Sequence, residues 1–256
     1  MDYNYHSHTV RCSHATGTAE SYVRVAIENG IRYMGFSDHM PFVFPDGHES
    51  HYRVPFAESE DYIGEIVALR EQFAGQIDLK IGFEMEYYPD YFETMLNHAR
   101  EVGAEYLILG QHFLGQEYPN GTYVAKPIDD PDKLVEYVDT VITAMETGVF
   151  TYVAHPDILN FVGDPNLYIS EMRQLCRRAR ELDIPLEINF LGIRSWRNYP
   201  TDRFWEIAGE EKAPVTFGFD AHATQDAYDG KSLKIAKDMV KRFALNYIGR
   251  PCIRYL

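Results

Sequence analysis

The chain has 256 residues, 45% hydrophobic and 25% charged, a composition that supports a globular core without disulfide staples. Its net charge of -15 with histidines neutral opposes the nucleic-acid backbone, which demands clustered Lys and Arg. No apolar run reaches the roughly 18–20 residues of a membrane span, and the cysteines Cys12, Cys176 and Cys252 are too scattered for a disulfide framework; a soluble, cytoplasmic protein handling a small substrate is expected.

The opening run Tyr3-Asn4-Tyr5-His6-Ser7-His8-Thr9-Val10 reads as a strand, because aromatic and β-branched residues dominate it. Strand side chains alternate, so His6 and His8 point the same way. A loop with Cys12 and His14 follows. Thr18 then suits the N-cap of a helix in which Tyr22, Val23, Ala26 and Ile27 recur at helical spacing. Residues 31–37 read as a buried strand ending in Asp38-His39. The long loop 40–57 is rich in Pro and Asp-Gly turn chemistry and holds His48 and His51; loops of this length usually carry function.

A helix over 58–73 precedes a strand over 77–86. Its alternation sets Ile77, Leu79, Ile81 and Phe83 on one face, and Glu84 and Glu86 on the other. A helix over 90–101, with His98 on its outer side, leads to the strand 106–110, which ends at Gln111-His112. After the loop 113–128, Asp130-Pro131 has the form of an N-cap followed by proline at N1. The strand 149–154 ends at His155-Pro156-Asp157. A helix over 170–182 buries Cys176, which reads as a small core residue rather than a nucleophile. The strand 186–190, a short helix over 201–208, the strand 215–219 ending in Asp220-Ala221-His222, and a helix over 232–245 complete the pattern, and the tail suits a short strand. Seven strand–helix units with short connections and no Gly-x-Gly-x-x-Gly after the first strand argue for a closed parallel barrel over an open sheet.

Metal-binding residue types recur at the C-terminal ends of nearly all these strands: His6 and His8, His39, Glu84, His112, His155, and Asp220 with His222. Barrel active sites are assembled at that face. Any one such histidine is commonly a satisfied core residue. Recurrence in register at six strand ends is hard to obtain by accident.

These residues carry a resemblance to a known family. His6-Ser7-His8, Cys12-Ser13-His14 with Gly17-Thr18, Ser37-Asp38-His39, Gly82-Phe83-Glu84-Met85-Glu86, Gly110-Gln111-His112-Phe113, Ala154-His155-Pro156-Asp157, Glu187-Ile188-Asn189, Gly192-Ile193-Arg194 and Gly218-Phe219-Asp220-Ala221-His222 stand in the order found in the polymerase-and-histidinol-phosphatase (PHP) family. Within it, the chain resembles the monofunctional histidinol phosphatases. The resemblance implies one distorted (β/α)7 TIM-like barrel domain over 1–256, with its metal site at the C-terminal ends of the strands.

It also implies three divalent metal ions, for which Mn, Fe and Zn all suit mixed imidazole and carboxylate ligands. His6, His8, Glu84 and Asp220 would hold the first, Glu84, His112 and His155 the second, and His14, His39 and His222 the third. Gln111 and Phe219 depart from the family pattern beside ligand positions. The implied activity is hydrolysis of L-histidinol phosphate in histidine biosynthesis. A hydroxide bridging the metals held by Glu84 and Asp220 would attack phosphorus. Arg194 is the expected phosphate contact and Arg197 the lesser candidate, with Phe113, Tyr123 and the 41–55 loop near the rest of the substrate. The competing readings are a phosphoesterase acting on nucleotides or another small phosphomonoester, and a metal-binding module without turnover.

Overall fold

The computed structural model describes residues 1–256. β1 (Tyr3–Asn4) leads through a 3-10 turn (Val10–Cys12) to α1 (Ala19–Glu28), β2 (Tyr33–His39), α2 (Ser59–Gln72), β3 (Asp78–Met85), α3 (Phe92–Val102) and β4 (Tyr106–Leu109). A small antiparallel pair, β5 (Phe113–Leu114) and β6 (Thr122–Tyr123), precedes α4 (Pro131–Glu146). There follow β7 (Phe150–Val153), α5 (Pro165–Glu181), β8 (Leu186–Asn189), α6 (Phe190–Arg194), α7 (Asp202–Glu211), β9 (Pro214–Gly218), α8 (Gly230–Arg242) and β10 (Asn246–Tyr247).

The main sheet runs β1-β2-β3-β4-β7-β8-β9-β10, every neighbour parallel. It curls into a distorted TIM-like barrel with helices outside. The tail strand is the eighth member and lies beside β9. The curl closes where the opening segment meets the chain beyond β9. The His8 amide donates to the Ala221 carbonyl at 2.9 Å, and the Ala221 amide donates to the His6 carbonyl at 3.2 Å.

Alternation along the strands divides the interior. In β4, Leu107 and Leu109 join a cluster of 67 buried apolar residues between sheet and helices. Tyr106 and Ile108 point the other way, into an inner cluster with Tyr3, Tyr5, Tyr152 and Ala154. Those aromatic rings fill the barrel below the site.

Three elements differ from expectation. The first strand has only two laddered residues, because the Asn4 side chain takes over as partner: its Oδ1 accepts from the His6 amide and its Nδ2 donates to the His6 carbonyl. α5 starts at Pro165, since Asp164-Pro165 repeats the N-cap and proline signal of Asp130-Pro131. Phe190, expected to end a strand, begins α6, because Asn189 turns back to accept from the Gly192 amide.

Candidate metal centre

β2 delivers His39 from its last residue and β3 delivers Glu84 from its next to last. His112, His155, and Asp220 with His222 lie in the short segments just beyond β4, β7 and β9. The opening segment brings His6 and His8, and His14 follows the 3-10 turn. All nine gather at one end of the barrel. His155 and Asp220 adopt positive φ, 31° and 47°, a left-handed backbone that non-glycine residues rarely take and that clusters at functional sites. Two glycines make room: a Cβ on Gly110 would lie 1.9 Å from a Glu84 oxygen, and one on Gly218 would lie 1.6 Å from a Glu187 oxygen.

Glu84 is the hub. Its carboxylate oxygens lie 2.8 Å from His155, 3.3 Å from His39, and 3.5 Å from each of His6, His8 and His112. Asp220 lies 3.2–3.5 Å from His222, His8 and His6. Burial pushes the Glu84 carboxyl up, but the imidazoles of His112, His39 and His6 outweigh it and hold it well below the usual range. Asp220 is likewise pushed up by burial and held well below its ordinary value, by His6 first. At His39 burial outweighs the attraction of Glu84 and holds the imidazole well below its ordinary value.

The expected ligand sets are partly separate in space. Potential ligand atoms of His14, His39 and His222 lie within 4.8 Å of one another, as do those of His6, His8 and Glu84. Asp220 groups with His6 and His155, and Glu84 with His112 and His39, so His39 and His155 border more than one set.

Five of the seven rings are anchored through Nδ1. His6 Nδ1 is 2.9 Å from Glu187, His112 Nδ1 is 2.9 Å from Glu86, and His8 Nδ1 is 3.4 Å from Asp38. His14 Nδ1 and His222 Nδ1 donate to the carbonyls of Cys12 and Asp220 at 2.6 and 3.1 Å. Those carbonyls fix the tautomers, so both Nε2 atoms carry lone pairs, yet they face each other at 3.0 Å. Two lone pairs at that distance repel unless a cation lies between them. His6 Nε2, His8 Nε2, His39 Nδ1, His155 Nδ1 and Asp220 Oδ1 are buried without a hydrogen-bond partner. Buried polar atoms are rarely left so. Converging imidazole and carboxylate donors, five of them with unpartnered atoms and five rings anchored on the far side, fit divalent metal ions.

Four supporting residues had no role assigned from the sequence: Glu187, Glu86, Asp38 and Asn189. Glu187 also accepts from the His155 amide at 3.1 Å, and Asn189 donates to both Glu187 and Asp220. One signal could have found Glu187: its strand was the one lacking a ligand-type residue in the set.

The cluster floors a cavity of about 460 Å³ whose walls include His51, Tyr52, Phe113, Tyr123, Arg197 and Tyr199. Arg194 is not part of that wall. Its guanidinium donates to the Phe219 carbonyl at 2.5 Å and to the Asp220 carbonyl, and Asp226 lies 3.4 Å away. Arg194 Nη1 and Nη2 thus point to backbone carbonyls, whereas Arg197 lines the cavity. His48 stacks on Tyr118 at 3.8 Å and His98 on Phe56 at 4.2 Å, both off the cavity wall. Gln111 braces the loop after β4, accepting from the Tyr87 amide and donating to the Phe113 carbonyl.

A parallel TIM-like barrel with a histidine–carboxylate cluster at its strand ends defines a class of metal-site barrels. The PHP domain model matches residues 4–189, and the chain belongs to that family. It is 28% identical over 229 residues to a Deinococcus radiodurans protein described as a probable histidinol-phosphatase, covering 85% of each chain. It is 25% identical over 255 residues to the histidinol-phosphatase of Bacillus subtilis, covering 86% of this chain and 93% of that one. Its fold is similar to that of the Lactococcus lactis histidinol phosphate phosphatase, solved with Zn, L-histidinol and phosphate: TM-score 0.71, 18% identity, covering 96% of this chain and 95% of the other.

Proposed function

We propose that the protein is a metal-dependent phosphatase that hydrolyses L-histidinol phosphate to L-histidinol and phosphate. The observation that carries this reading is the nine-residue cluster of converging donors, five of them with a buried unpartnered atom, beneath a cavity of small-metabolite size. The relatives named histidinol-phosphatase support the substrate. The net charge of -15 favours a small phosphomonoester over a polynucleotide.

In this reading one PHP-type barrel holds three divalent ions. His6, His8, Glu84 and Asp220 serve the first, Glu84, His112 and His155 the second, and His14, His39 and His222 the third. Such ions, when bound, lower the pKa of water and screen the charge of phosphate oxygens. The chain's own residues do the remaining work. Arg197, on the cavity wall, offers a charged donor to the phosphate. Phe113 and Tyr123, with ring centroids 5.4 Å apart, and Tyr52 beside Phe113 offer flat faces to an imidazole ring. Glu187, Asp38 and Glu86 hold the imidazole rings in orientation.

A substrate panel tests this. With Mn, Zn or Fe restored, phosphate release from L-histidinol phosphate is expected to exceed that from nucleotides and sugar phosphates in kcat/KM. Strong release from nucleotides with none from L-histidinol phosphate would contradict the substrate, and no release from any monoester would contradict the phosphatase.

A further inference from the structure

Arg53 lies in the long loop between β2 and α2, far in sequence from Glu86, Glu117 and His112. Its side chain is only 1% exposed, and it contacts two carboxylates, Glu86 and Glu117, that are 1% and 2% exposed. Nη2 donates to Glu86 at 2.7 Å and to Glu117 at 2.5 Å, Nε donates to Glu117 at 3.1 Å, and Nη1 donates to the Met40 carbonyl at 2.8 Å. Ser50 and Tyr52 also donate to Glu117. Burying three charges is costly, and an apolar staple would join two loops at less expense. The geometry shows what the charges do. Glu86 turns one oxygen to Arg53 and the other to His112 Nδ1 at 2.9 Å. His112 then presents Nε2 toward Glu84 at 3.5 Å.

We propose that Arg53 is a positioning residue: through Glu86 it sets the ring orientation of His112, and through Glu117 it ties both mouth loops to that setting. The proposal rests on the reading of His112 as a metal ligand. One oxygen of Glu86 accepts from Arg53 Nη2, while Nε and Nη2 together fork onto Glu117, so the Glu86 carboxylate is held through both of its oxygens, the second facing the imidazole. A lysine has no such fork and cannot hold Glu86, Glu117 and Met40 together. The same arginine seats its neighbour Tyr52 against Phe113, with ring centroids 6.2 Å apart, so the aromatic wall of the cavity and the His112 ligand are fixed by one group.

The test is metal binding by the full chain after chelator stripping, titrated with Mn or Zn and followed by calorimetry. Thermal unfolding of the metal-free forms reports the fold. Arg53→Met and Glu86→Gln are each expected to weaken one metal per chain by about 10–100-fold, and the double variant by no more than either single one. Arg53→Lys is expected to restore little. Glu86→Gln and Arg53→Lys carry the test if Arg53→Met does not fold. Folded variants that bind every metal as the unaltered chain does would overturn the proposal, even if their melting temperatures fall. His112→Ala separates the two readings. If it weakens a metal while the Arg53 and Glu86 variants do not, the relay is wrong; if it weakens none, the assignment of His112 is wrong.

Discussion

Asp220 combines four constraints in one residue: a left-handed backbone, a carboxylate facing His6 and His8, a carbonyl accepting from His222, and the same carbonyl held by Arg194. Arg194 thus acts on the backbone of the site, whereas Arg197 faces the cavity. Arg197→Ala is expected to lower kcat/KM by about 10–100-fold, as loss of a charged hydrogen bond does, with little change in melting temperature. Arg194→Ala is expected to lower the melting temperature as well, because it removes the charged hydrogen bonds that hold the turn at Phe219 and Asp220. Parallel kinetics and thermal melts check both. Glu187→Gln keeps shape but weakens the hold on His6 Nδ1 and the His155 amide, and is expected to cost about 10–100-fold in metal affinity. A metal titration reads it. The ligand-type residues were legible in the sequence because they recur at strand ends. The backbone contacts of Arg194 were not legible, because position beside a strand end says nothing about where a long side chain turns. Glu187 was passed over because its partner, His6, is 181 positions away.

The helices brace the barrel through their outer faces. Glu211, at the end of α7, is held by Arg177 and Arg173 of α5 at 2.9 and 2.6 Å, with Arg180 donating to its carbonyl. Hydrogen bonding from Arg177 and then Arg173 holds its carboxyl below the ordinary value. A depressed folded-state pKa means that the stabilisation is complete above the unfolded-state value of about 4.3 and is lost as pH falls through the folded-state value. Glu211→Gln is therefore expected to cost about 1–2 kcal/mol near neutral pH and nothing in strong acid. Urea unfolding of both chains across that range measures the difference, and a gap that persists in strong acid would refute the ionic account. Most helix and strand positions were legible from periodicity and capping residues. The two-residue ladder of β1 was not, because Asn4 replaces backbone partners with its own side chain.

At the scale of the whole molecule, seven strand–helix units and a tail strand form one curled parallel sheet, and its closure brings His6 and His8 against the chain beyond β9. No helix is long and apolar enough to cross a membrane. The cluster crowds seven imidazoles around two carboxylates, so cations that bind it should stabilise the folded chain by mass action. Stripping with a chelator is expected to lower the melting temperature by several degrees and to abolish phosphatase activity, with both restored by Mn or Zn. The closed sheet was legible in the unit count; the loops that roof the cavity were not, since their order comes from the buried Arg53, Glu86 and Glu117 charges, distant in sequence. The central claim, a metal centre built from these nine residues, is tested most directly by anomalous X-ray scattering from crystals of metal-loaded protein with phosphate bound. Three anomalous peaks are predicted among His6, His8, His14, His39, Glu84, His112, His155, Asp220 and His222, with phosphate beside them and near Arg197. Fully loaded crystals with no peak at this cluster would contradict it.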